Sequence, residues 1–291
     1  MSSMLRTTVS SMLALLAFHA APAQAQELPD GVEWDHARAN LRALPPGDMH
    51  QAVARWKLLV ANSGFAFADY SGFLLAYPGL PEEEKLRGFA EAALDREVVP
   101  AAQIVAFFDR FPPLGNKARA SYALALAALG RPEARQVALE AWRGGLMNDA
   151  AEPAIFGLIA TGLTPADQDE RMDELLWANA PQSGQRQIDR VSPQNRPIFT
   201  ARLGMLNGQD PAVFGIDPGP AALPDAGYLY NRSRMLRSSG QNSAAAAMLG
   251  NRPKLAAPPR EPRKWVGELL AVARRADSQG AVRIAEGIDD T

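Results

Sequence analysis

The chain has 291 residues, 47% of them hydrophobic and 21% charged, with 30 basic against 32 acidic residues and no cysteine. A net charge of −2 leaves no electrostatic footprint for nucleic acid or for an anionic membrane surface. The missing cysteines exclude disulfides, thiol nucleophiles and thiolate metal sites.

The first 25 residues read as a secretory signal peptide. Arg6 marks a short basic start, an apolar run follows through Met12, Leu13, Leu15, Leu16 and Phe18, and small residues close it. Ala23 and Ala25 meet the small-x-small requirement of signal peptidase, which places cleavage before Gln26. That run is too short to span a bilayer, and no later run is long enough. The mature chain is therefore expected to be exported, with no transmembrane segment.

Residues 26–46 are polar, broken by Leu-Pro-Pro-Gly at 44–47, and read as an irregular opening segment. From residue 47 to 291 short helical patterns alternate with Pro or Gly breaks. Alanine and leucine are strong helix formers and period-two alternation is absent, so this region is predicted all-α, with no sheet. Ala52, Trp56, Leu59 and Val60 share one helical stripe, and Tyr70, Phe73, Leu74 and Tyr77 the next. Pro81 and three glutamates favour a helix start, followed by Leu86, Phe89, Ala90, Ala93 and Leu94. Ile104, Phe107, Phe108 and Phe111 mark another helix. Thr164 is placed as an N-cap with Pro165 at the first helical position, and Met172, Leu175, Leu176 and Trp177 form the apolar side. Residues 208–227 are rich in Pro and Gly and read as a loop, and 252–263 as a basic, Pro-rich linker before a last helix with Trp265, Leu269, Leu270 and Val272.

Two segments look like copies of one hairpin. Leu126, Gly130, Ala134 and Leu139 match Leu236, Gly240, Ala244 and Leu249 at the same spacing. A glycine at the turn completes the end of the first helix, and small residues let two helices approach. The pattern predicts an irregular helix-hairpin superhelix of the tetratricopeptide-like, α-solenoid kind, with a compact helical bundle as the alternative. An open solenoid end needs a polar cap. None follows Val282, Ile284 and Ala285, so the domain is expected to be incomplete at its C-terminal end.

No catalytic set is legible. Of three histidines, His19 lies in the signal, and His36 and His50 read as solvent-facing or capping residues. No Gly-x-Ser-x-Gly elbow, metal-ligand set or nucleotide-binding glycine loop occurs, so no catalytic, cofactor-binding or metal residue is assigned and no cofactor is expected. The carboxylates Glu82 to Glu84 and Asp167, Asp169, Glu170, Asp173 and Glu174 sit at predicted helix N-termini, where negative charge is stabilising. The basic residues Arg252, Lys254, Arg260, Arg263 and Lys264 read as a solvated linker, or as a contact for an anionic glycan or peptide stem.

Five stretches in order carry a family resemblance: YSGFLLAYPGLPEEEKLRGFAEAAL (70–94), FFDRFPPLGNKARASYALALAALGRPEARQVALEAWRGG (107–145), LTPADQDERMDELLWANA (163–180), YLYNRSRMLRSSGQNSAAAAML (228–249) and PREPRKWVGELLAVARRADSQGAVRIAEG (259–287). Together they resemble the N-terminal helical domain of the soluble lytic murein transglycosylases, periplasmic enzymes that cleave peptidoglycan. The resemblance implies a U-shaped superhelix that continues past this chain's end into a lysozyme-like catalytic domain of the muramidase superfamily. That domain carries a catalytic glutamate followed by serine, and a Gly-Leu-Met-Gln type segment. Neither occurs in the 291 residues. Arg-Gly-Gly-Leu-Met-Asn-Asp at 143–149 continues differently and lies inside a helical-domain match.

The expectation is a scaffold whose family reaction is non-hydrolytic. A glutamate acid/base there drives closure to 1,6-anhydromuramyl products. Without that glutamate this chain is expected to be inactive alone, as a truncated, frame-shifted or split gene product, with peptidoglycan or a separately encoded catalytic domain as partner. The alternative is a non-catalytic periplasmic helical-repeat module that binds peptidoglycan or a cell-wall protein.

Overall fold

The structure, a computed structural model, describes residues 35, 36, 38 and 49–290. The signal peptide, its cleavage residues Ala23, Ala25 and Gln26, and most of the opening segment lie outside them. The described residues form fourteen α-helices with short 3-10 turns and no β-strand. These are α1 (Met49–Ala61), α2 (Phe67–Ala76), α3 (Glu83–Ala93), α4 (Ala101–Phe108), α5 (Asn116–Ala128), α6 (Ala134–Arg143) and α7 (Ala151–Ile159). They continue with α8 (Pro165–Trp177), α9 (Pro181–Gln187), α10 (Arg196–Leu206), α11 (Ala226–Ser238), α12 (Asn242–Gly250), α13 (Pro262–Ala273) and α14 (Ser278–Glu286). The expected all-α class holds. Among the described residues no helix is long and apolar enough to cross a membrane.

Apolar periodicity places the elements. Ala52 and Leu59 are buried on α1, Tyr70, Phe73 and Leu74 on α2, and Leu86, Ala90 and Ala93 on α3. Ile104, Phe107 and Phe108 on α4 sink into the same cluster, with Phe107 edge-on to Phe67 at 5.5 Å. Each such aliphatic or aromatic burial contributes roughly 1.5–3 kcal/mol, enough to hold an eight-residue helix that would not persist alone. α7, α9 and α10 have no counterpart in the sequence reading. α7 and α9 are short, and Pro153, Pro181 and Pro197 near the three starts read as breaks.

Helix ends follow local chemistry. Thr164 Oγ1 accepts from the Asp167 N–H, and Asp167 Oδ2 accepts from the Thr164 N–H at 2.7 Å, a reciprocal cap ahead of Pro165. The two look-alike hairpins share one turn. The Arg131 N–H reaches the Leu126 carbonyl at 2.9 Å, and the Gln241 N–H reaches the Leu236 carbonyl at 2.8 Å. Gly130 and Gly240 sit between at φ +66° and +79°, the left-handed step that closes a Schellman motif. Past the turn the copies diverge. Pro132 and Glu133 delay α6 to Ala134, whereas α12 starts at Asn242. Ala134 and Ala138 therefore correspond to Ala245 and Leu249, and Ala244 faces solvent.

Each helix packs chiefly on helices one or two places away in chain order: α5 on α6 and α7, α6 on α8, α8 on α10, α11 on α12 and α13, α12 on α14. The expected loop at 208–227 carries a 3-10 turn at Pro220–Ala222, and its last two residues already belong to α11. The basic linker is less solvated than its composition implies. The Arg260 guanidinium binds Asp173 at 2.8 Å and Glu174 at 3.1 Å, and Lys264 donates to the Trp177 carbonyl at 3.0 Å.

Candidate functional site

The acids of α8 were expected at a helix N-terminus; Asp167 is in the first turn, but Asp173 and Glu174 fall toward the C-terminal end, where the dipole opposes them, and the fold gives them partners instead. Asp167 pairs with Arg143 at 2.5 Å, Asp169 accepts from the Ser192 N–H and the Asn195 amide at 2.8 Å, and Asp173 takes Arg202 at 2.5 Å. Glu170 lies 3.6 Å from Arg143. These carboxylates are ties between segments.

One residue of α8 escapes any reading by composition. The Arg171 side chain is 1% exposed, and its guanidinium carbon lies 4.1 Å from the centre of the Trp142 indole. Nη1 donates to the Gly145 carbonyl at 2.6 Å and the Trp142 carbonyl at 3.3 Å, and Nη2 pairs with Glu152 at 3.2 Å. A buried cation is tolerated only when paired and hydrogen-bonded in this way. Burial pulls the Arg171 pKa down to about 10, with Glu152 acting against it. It stays charged at neutral pH. The segment 143–149, passed over in the sequence, supplies Arg143, the Gly145 carbonyl and Asp149.

Beside this buried pair opens a cleft of about 460 Å³ lined by Trp142, Asp149, Glu152, Pro153, Phe156, Arg186 and Arg190. Phe156 from α7 packs against Trp142 at 5.3 Å. Gln168 accepts from Trp142 Nε1 at 3.2 Å and from Gln187 Nε2 at 2.8 Å, locking the floor. Arg186 of α9 reaches Glu152 at 2.9 Å and Asp149 at 3.6 Å. Burial pushes the Glu152 carboxyl up, but the hydrogen bond from Arg186 and the charges of Arg171 and Arg186 outweigh it and hold the pKa below the ordinary value. A carboxylate so held is ionised at neutral pH and is no proton donor.

A second arginine repeats the arrangement one step along. Trp142 lies in the last turn of α6 and meets Arg171 of α8; Trp177 ends α8 and meets Arg202 of α10 at 5.8 Å. The Arg202 side chain is also 1% exposed, pairs with Asp173 and donates from Nε to Asn231 at 2.9 Å. A smaller cavity of about 200 Å³ lies there, and residues 256–260 of the linker form one of its walls. Two acids near it have raised pKa values. Burial is the leading cause for both Asp225 and Glu174. Neither is free to act, since Asp225 caps the Tyr228 N–H at 2.6 Å and Glu174 binds Arg260.

Both arginines had one legible mark. Each has apolar residues one and four places on, Met172 and Leu175 or Leu203 and Leu206, which puts a charge on the buried stripe. His36 and His50 are exposed, and no group of three or more His, Asp or Glu among the described residues is placed to hold a metal. The arrangement is equipped to recognise charge. No protein family, curated protein or solved structure matches this chain.

Proposed function

We propose that this chain is a periplasmic helical scaffold of the lytic transglycosylase type, and that it binds peptidoglycan without cleaving it. The observation that carries the reading is the placement of the five family-like stretches. In order they fall on α2–α3, α4–α6, α8, α11–α12 and α13–α14. Packing limited mainly to near neighbours in chain order, and the Trp–Arg arrangement repeated two helices on, support a superhelix built from stacked hairpins.

Two features argue against chemistry by this chain alone. No Glu-Ser dipeptide occurs, and the cleft carboxylate Glu152 is held ionised by two arginines. The test is co-sedimentation of the chain from Gln26 onward with insoluble peptidoglycan, with the supernatant assayed for 1,6-anhydromuropeptides. Sedimentation at low ionic strength without product is the expected result. Product above a heat-killed control sinks the non-catalytic reading, and failure to sediment sinks the binding one. Mass spectrometry of the exported protein is expected to find Gln26 at its start.

A second reading, a docking module for another cell-wall protein, is favoured by the exposed side chains of Val213, Phe214 and Leu223 around the 208–225 loop. Cross-linking at position 214 in cells separates the two, since peptidoglycan binding leaves no protein adduct there.

A further inference from the structure

The cleft beside Arg171 holds an unequal number of charges. Arg186 and Arg190 line it with Glu152 and Asp149, and the buried Arg171 behind Glu152 adds a third guanidinium against those two carboxylates. Glu152 is shared by Arg171 and Arg186. Asp149 touches only Arg186, at 3.6 Å, and its side chain is 97% exposed. The surplus cation is Arg190. It has no carboxylate partner and no side-chain hydrogen bond among the described residues, and its guanidinium carbon lies 4.8 Å from the centre of the Phe156 ring.

A guanidinium parked over an aromatic ring spends one face on that ring and keeps its N–H edge. That edge is a planar fork whose match is a carboxylate, bound through two parallel hydrogen bonds. The Phe156 ring itself sits against Trp142, which is pinned through Gln168, so the cation rests on a rigid support. Pro153 and Phe156 supply apolar wall, and Asp149 offers a solvated acceptor. One surplus positive charge suits a monoanion. The two carboxylates already present oppose a dianion such as phosphate.

We propose that this cleft binds the carboxylate end of an N-acylated amino acid or short peptide, with the carboxylate forked on Arg190, the neighbouring N–H turned toward Asp149 and the apolar side chain over Pro153 and Phe156. The inference rests on the cleft alone. It holds whether or not the chain binds peptidoglycan, and a failure of sedimentation leaves it standing.

The experiment is a calorimetric titration of the mature chain with N-acetylleucine, its carboxamide and inorganic phosphate, alongside Arg190→Gln. Saturable binding of the acid is expected, with the carboxamide and phosphate each at least roughly tenfold weaker, since the charge-assisted fork is lost. Arg190 is exposed, so R190Q is expected to keep the wild-type circular dichroism spectrum and lose the acid by a similar factor. R190K, which keeps the charge but not the fork, is expected in between. Equal binding of acid and carboxamide to the wild-type chain overturns the proposal without recourse to any variant. So does phosphate as the tighter ligand, or no binding of the acid at all.

Discussion

The two Trp–Arg stations use the same parts to opposite ends. At the first, Arg171 lies close over Trp142, holds two backbone carbonyls and shares Glu152 with Arg186, and the space beyond is open. At the second, Arg202 stands further from Trp177, binds Asp173 and Asn231, and Arg260 comes back from the linker to share Asp173 with it. Both arginines are spent on tertiary ties, but the first station borders an open cleft lined by Arg186 and Arg190, while the linker closes over the second. What an arginine-on-tryptophan pair does is decided by what lies over it.

The largest expected effects come from the buried cations. Arg171→Ala is expected to cost roughly 3–5 kcal/mol in urea unfolding, in the range for breaking a buried ion pair. Arg202→Ala should cost less, because Arg202 has the looser stack and two hydrogen-bond acceptors where Arg171 has three. The reverse order breaks the comparison.

Gly227 sharpens it. A Cβ there would lie 2.4 Å from the Arg202 guanidinium, so Gly227→Ala is expected to cost about 1–3 kcal/mol by overpacking. In the Arg202→Ala background the penalty should largely vanish, since residues in contact are not additive. An unchanged penalty in the double variant places the strain elsewhere.

Acidification separates the stations by sign. The Glu152 pKa is lowered on folding, so its contribution is complete above the unfolded value of 4.5 and is lost as pH falls through the folded value. Glu174 and Asp225 are raised, so their folded forms take up protons first and acidification through that window relieves a cost. Thermal unfolding against pH is expected to fall more steeply for wild type than for Glu152→Gln below pH 4.5. Identical slopes remove Glu152 from the account.

The smallest stability effect belongs to Arg260→Ala. Its pairs with Asp173 and Glu174 are partly exposed, and such pairs contribute within about 1 kcal/mol. The linker should nonetheless loosen. Hydrogen exchange over 252–261 is expected to speed up while the core exchanges as before, and unchanged exchange there means the linker is held by other contacts.

Much of the scaffold was legible from residues alone. The stripe of Phe107, Phe108 and Phe111, the Thr164 cap with Pro165, and the paired Gly130 and Gly240 turns are local statements, and local chemistry settles them. Periodicity says which side of a helix is apolar, and a cap or a glycine says where it stops. The short helices α7 and α9 were not legible, because too few residues repeat in a span of that length to establish a period. The cleft was beyond reach for another reason. Trp142, Glu152, Arg171, Arg186 and Arg190 are polar or aromatic residues spread over four helices and a 3-10 turn, and each reads singly as surface or core. The sequence by itself determined that the described region is all-helical, built of short helices, with the chain's charges nearly balanced. Only tertiary packing decided that Arg171 would be buried against Trp142 and that Arg190 would have no carboxylate partner among the described residues, because pairing is a property of distances between helices and no local pattern encodes them.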